Sequence, residues 1–151
     1  MVCTAICTKY IHKLSRIENN VVVSDADKGS HIKLNIITNK NINKDSKILL
    51  VIRNDSSFPV IYGDNYILEY YDNIKRQWEK VKYKDINVVF NLVSMELKPY
   101  SSDTLDIYIY PKHYEFISGK YRIIKSFNVK NRKLVLKHCF FIKNDSIIDS
   151  E

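Results

Sequence analysis

Two cysteines four residues apart, Cys3-Thr-Ala-Ile-Cys7, have a spacing that could hold a metal ion. A zinc site needs two further ligands, and no Cys-x-x-Cys or His-x-x-x-His motif lies elsewhere to supply them, so no metal is expected. Asp25-Ala-Asp27-Lys-Gly29 has the outline of a calcium loop, but that loop requires a Glu at its twelfth position, where this chain has Ile36. The cluster reads as a turn. Nucleophilic catalysis would need a Ser or Cys beside a His and an orienting acid. The nearest linear hints are His138-Cys139 and His113 with Glu115, and neighbours in a strand point to opposite faces, so His138 is not placed to activate Cys139. Cys139 reads as a small buried hydrophobe, and His12, His31 and His113 as surface histidines. Glu69 and Glu79 are expected to face each other across a hairpin, where pairing with Lys75, Arg76 or Lys80 is preferred over a sugar-cleaving carboxylate pair. Gly29, Gly63 and Gly119 are the only glycines, too few for a phosphate-cradling loop. The chain is therefore expected to be no enzyme and to carry no cofactor.

What remains is charge and aromatic surface. With 24 Lys and Arg against 17 Asp and Glu the net charge is +7, which attracts acidic partners at low salt. The asymmetry is concentrated between Lys112 and Lys143, where Lys112, Lys120, Arg122, Lys125, Lys130, Arg132, Lys133, Lys137 and Lys143 face a single acid, Glu115. Tyr114, Tyr121, Phe127, Phe140 and Phe141 are interleaved with them. If the aromatics were exposed, they would stack on bases while the cations met phosphates; if they alternate inward, they are core under a solvated basic face. Tyr62, Tyr66, Tyr70 and Tyr71 form a second candidate contact group, since Tyr gives large contact area at low entropic cost. The candidate partner-binding residues are thus these four tyrosines with Lys112, Lys120, Arg122, Lys130, Arg132, Lys133 and Lys137.

The elements that must position these groups are strands. Eleven Tyr and six Phe against three Gly and three Pro is a composition suited to pleated surfaces, and no long 3.6-period apolar stripe is present. Segments with strand character are His31–Ile37, Lys47–Arg53, Tyr66–Tyr71, Gln77–Tyr83, Asn87–Val93, Met95–Leu97, Leu105–Tyr110, Tyr121–Val129 and Leu134–Lys143. Residues 1–24 are expected to hold an early strand, Asn54-Asp-Ser-Ser a turn, Lys130–Lys133 a hairpin tip and residues 144–151 a frayed acidic tail. Trp78 reads as a candidate core residue. Short strands with turns every ten or so residues predict an all-β chain forming a single antiparallel sandwich, with residues 1–45 part of the same sandwich as the core at 46–143.

From Ile48 to Val129 the chain resembles the bacterial immunoglobulin-like domain family of short secreted or lipid-anchored proteins, in the variant common in Bacteroidota. The matching residues are Asn54-Asp-Ser, Tyr62-Gly63, Leu68-Glu69-Tyr70-Tyr71, Trp78-Glu79, Leu97-Lys-Pro99, Tyr110-Pro111 and Gly119-Lys-Tyr121-Arg122-Ile123. The resemblance implies an immunoglobulin-like sandwich and a non-catalytic module that docks on another protein, at the cell envelope if the family's habit holds. Two features depart from the pattern: the usual export leader and the antibody-type cysteine pair around the core tryptophan are missing. Residues 1–15 lack the apolar stretch of a leader. A chain that starts at Met1 is expected in the cytoplasm, and one that has lost a leader is expected to be exported or lipid-anchored through Cys3. A cytoplasmic protein of this size and charge would suit a second function, a mobile-element inhibitor of the anti-CRISPR type that binds an RNA-guided nuclease or its guide RNA.

Overall fold

The computed structural model describes residues 21–25, 31–37 and 47–149, with backbone alone for 21–25 and Asp149. Among these residues there are eleven strands and no helix: β1 Val21–Asp25, β2 Ile32–Ile36, β3 Lys47–Asn54, β4 Val60–Tyr62, β5 Ile67–Asp72, β6 Gln77–Lys80, β7 Met95–Leu97, β8 Ser101–Tyr108, β9 Gly119–Val129, β10 Arg132–Lys143 and β11 Ser146–Asp149. They form two layers. The smaller sheet has the order β2-β3-β8. The larger runs β1-β10-β9-β4-β7, with β11 on β10, β5 on β9 and β6 on β5. All pairs are antiparallel except β1 with β10, which is parallel.

Side-chain alternation builds the core between the layers. Ile32, Leu34 and Ile36 on β2, Ile48, Leu50 and Ile52 on β3, and Ile107 on β8 face Val60, Leu68, Tyr121, Ile123, Phe127, Leu136, Phe140 and Ile142 of the larger sheet. Each of these strands turns every second residue inward, as a half-buried sheet requires. The interleaved aromatics Tyr121, Phe127 and Phe140 are core, with Tyr121 stacked on Phe140 at 5.7 Å, while Phe141 faces out.

The β9–β10 hairpin turns on Lys130 and Asn131, with φ of 48° and 63°. Positive φ at both central residues matches the right-handed twist of the flanking strands, and Asn tolerates it well. Asn144 and Asp145 repeat the device with φ of 49° and 61°. That second turn corrects the expectation of a frayed tail: Ser146–Asp149 folds back on β10 and buries Ile147.

Other expectations also change. Asn87–Val93, which alternates like a strand, pairs with no strand among the described residues, and β6 stops at Lys80 instead of reaching Tyr83. Val81 is still held to β5, its N donating to Leu68 O at 2.9 Å, and residues 82–94 then leave the sheet until β7. Asn54 is not a turn residue but the buried end of β3. Its Nδ2 donates to Phe58 O, Leu97 O and Lys98 O, and its Oδ1 accepts from Ser56 N and Oγ. In the pair His138-Cys139 it is His138 that faces the core, because Leu136 and Phe140 fix the inward phase of β10 and leave Cys139 on the outer face. The Cys3 and Cys7 pair, His12 and the cluster from Ala26 to Ser30 lie outside the described residues.

Candidate binding face of the larger sheet

The same alternation that fills the core composes the outer face. On β9 the outward positions are Lys120, Arg122, Ile124, Ser126 and Asn128. Directly across on β10 stand Phe141, Cys139, Lys137, Val135 and Lys133. On the other side of β9, Glu69 of β5 is in register with Arg122, and Tyr71 and Trp78 pair across the β5–β6 hairpin on this same face. Lys120, Arg122, Lys133 and Lys137 of the candidate residues therefore share one surface, together with Tyr71.

Its centre is a stack of unlike groups. The Arg122 guanidinium lies 4.2 Å from the Trp78 ring centroid, Lys120 Nζ lies 5.6 Å from it, and Tyr71 meets the ring edge-on at 5.3 Å. Arg122 is oriented by Glu69, whose Oε2 accepts from Nε at 2.6 Å. A planar guanidinium held in this way on a ring face gains both the quadrupole attraction and a charge-assisted hydrogen bond. Trp78 is only half-buried, so it is no core pin. Its role was obscured in the sequence because Trp usually reads as core, although its place beside Lys80 in the period-two pattern already put it on a polar face.

The remaining candidates are elsewhere. Lys130 and Arg132 stand at the hairpin tip, Lys130 Nζ 3.2 Å from the centroid of the Phe58 ring. Lys112 lies at the opposite end of the β9–β10 hairpin, roughly 33 Å away at the rise of a strand, and lines a cavity of about 390 Å³ with Lys84, His113, Glu115 and Asp145. The basic stretch is thus divided among a face, a tip and a far loop. Lys125 belongs to none of these: it points inward, is 0 % exposed, and donates from Nζ to Gly63 O and to Asn65 O. Burial pulls its ammonium down to about 8, against the pull of Asp64.

The tyrosines divide similarly. Tyr62 is buried, its hydroxyl donating to the Asp103 carboxylate, and burial with that partner pushes it well above the usual range. Tyr66 donates to Tyr108 O at 2.6 Å. Tyr70 donates to Glu79 Oε2 at 3.0 Å and lines an open cleft of about 540 Å³ with Lys75, Lys80, Lys82 and Tyr114. Lys75, Gln77 and Tyr70 hold the Glu79 carboxyl down at about 2. Glu69 and Glu79 do not face each other: the register pairs Glu69 with Lys80 and Tyr70 with Glu79, so the two carboxylates are on opposite sides of the hairpin.

Among the described residues no group of three His, Cys, Asp or Glu gathers in a way that could hold a metal. No helix among them is long and apolar enough to cross a membrane.

Two packed sheets with an aromatic and cationic outer face define a protein of the immunoglobulin-like sandwich class, a scaffold that presents surfaces. The chain belongs to the bacterial Ig-like domain family, whose model matches residues 28–139. Members of this family are in general not enzymes and commonly mediate interactions. No curated protein matches the chain.

Proposed function

We propose that this protein is a non-catalytic binding module that docks an acidic surface of another protein on the outer face of its larger sheet. The observation that carries this reading is the Trp78–Arg122–Tyr71 group with Lys120 beside it. Trp, Tyr and Arg are the residue types that dominate binding energy at protein interfaces, and a rigid stack loses little entropy on docking. The net charge of +7 and the register that adds Lys133 and Lys137 favour an acidic partner.

The face is tested by placing a photo-crosslinking amino acid at Phe141 or Ile124 in the source cell. Cross-linking to one acidic protein, with binding of that purified protein weakened ~10-fold or more by Trp78→Ala, is the expected result. Adducts to RNA from these positions, or protein adducts obtained only from Arg53 and Thr104 on the smaller sheet, would overturn it. Adducts to RNA would favour the guide-RNA inhibitor instead.

A further inference from the structure

Between β6 and β7 the chain runs from Ile86 to Ser94 without a turn or bend. Among the described residues no main-chain hydrogen bond joins any residue of this stretch to another. Nine residues in fully extended form would reach about 30 Å. Ile86, Val88 and Phe90 are half-covered while Asn87, Val89 and Asn91 are exposed, so the stretch has the alternation of a strand without a neighbour. It is anchored from beneath. Phe90 meets the Tyr66 ring edge-on at 4.9 Å. Val93 O approaches Gly63 so closely that a Cβ there would stand 3.2 Å from it and 3.0 Å from Asn65 Oδ1, which explains the glycine.

Its exposed side mixes Asn87, Asn91 and Ser94 with three apolar residues, the alternation ending where residues 91–94 are all exposed. Val89 is 86 % exposed, Leu92 fully exposed and Val93 53 % exposed. Sheet edges are ordinarily protected by Lys, Pro or a bulge, and an extended apolar edge left bare is an aggregation site. Ile86–Ser94 contains no charge and no Pro. Such a stretch is tolerated where another strand covers it.

We infer that residues 86–94 are an acceptor edge for β-strand addition, taking an extended apolar segment of an acidic partner protein. Strand addition uses main-chain hydrogen bonds for affinity and alternate side chains for choice. Charge selects the occupant: Lys80, Lys82 and Lys84 outnumber Asp85 among the exposed residues just ahead of the stretch, and the net charge of +7 opposes a second copy of the chain. This edge is a different surface from the Trp78 face, so either can fail without the other.

The probe is the peptide Asp-Glu-Val-Thr-Val-Thr-Val-Glu-Asp, tested beside the same peptide N-methylated on alternate residues. Amide exchange of the full chain is followed by NMR. The unmodified peptide is expected to slow exchange of alternate amides between Ile86 and Ser94 about tenfold or more, and the methylated peptide to leave it unchanged. Val89→Pro, which removes one donor on an exposed loop, should abolish the protection, and Val89→Lys should weaken it about tenfold. Trp78→Ala should leave it intact. Equal binding of the methylated peptide, absence of any protection, or protection confined to β2 or β8 would overturn the inference. So would protection of 86–94 that rises with protein concentration in the absence of peptide, since the occupant would then be a second copy.

Discussion

Arg122 lies over the Trp78 ring at 4.2 Å while its Nε and Nη2 both donate to Glu69 Oε2, at 2.6 and 2.5 Å. The guanidinium is thereby fixed in plane and position, with 13 % of its side chain exposed. A lysine would keep the charge but lose the fork and the stacking plane.

Trp78 is the only tryptophan, so the protein's tryptophan fluorescence reports this stack, with Arg122 its nearest cation. Arg122→Ala is expected to red-shift its emission and to lower stability by about 1–2 kcal/mol. Trp78→Ala should cost about 2 kcal/mol, below the ~3–5 kcal/mol of a fully buried aromatic, because Trp78 lies on the outer face with part of its surface already in water. Urea denaturation measures both, and a loss above that range for Trp78→Ala would return the ring to the core.

Lys125 makes stability depend on pH in an unusual direction. Its folded value of about 8 lies below the ordinary 10.5. Below pH 8 both folded and unfolded chains hold the proton; between 8 and 10.5 the unfolded chain holds it and the folded chain has released it, so stability rises with pH. From pH 8 to 10 the gain attributable to this lysine is about 2 kcal/mol. Lys125→Met should flatten the profile over that window. The buried tyrosines, raised above their usual range, act only above pH 10 and in the opposite direction. A profile in Lys125→Met as steep as in the parent would refute this account.

Asn54 binds three carbonyls and two Ser56 donors while 0 % exposed, joining the end of β3 to the residues after β7. Asn54→Ala removes a donor from Leu97 O and the acceptor of Ser56 N, while Phe58 O and Lys98 O keep the hydroxyls of Ser56 and Ser101, and it should destabilise the fold by about 2–3 kcal/mol. Asn54→Asp should be worse, since a carboxylate would face the same carbonyl oxygens. Both are read from the urea midpoint.

At the hairpin tip, Asn131 has φ of 63°. Asn131→Gly is expected to stabilise by a few tenths of a kcal/mol, up to about 1, because a left-handed position carries no steric cost for glycine. The thermal midpoint should rise by a few degrees at most, and a fall would mean that the Asn side chain contributes more than its backbone.

Much of the layering was legible in the chain itself. The apolar run of Lys47–Arg53 marked a strand without telling which of its residues face inward, whereas period two in Gln77–Tyr83, a local property, already set Trp78 and Lys80 on one face and Glu79 and Val81 on the other. The Lys130-Asn131 tip was equally local, since turn chemistry depends on adjacent residues. Tertiary structure decided everything lateral. Asn87–Val93 has the alternation of a strand, but pairing needs a neighbour's edge, and none among the described residues pairs with it. Ser146–Asp149 has little strand signal and is a strand because β10 offers an edge. Lys125 reads as surface charge by composition and is buried because the phase of β9 turns it inward, where the carbonyls of Gly63 and Asn65 receive it. The outer face follows the same logic: Tyr71 and Trp78 are neighbours on one hairpin, but Arg122 is more than forty residues away, and only the pairing of β5 with β9 brings it to them. Alternation sets which way a side chain points, whereas register, a sum of long-range contacts, sets what it meets.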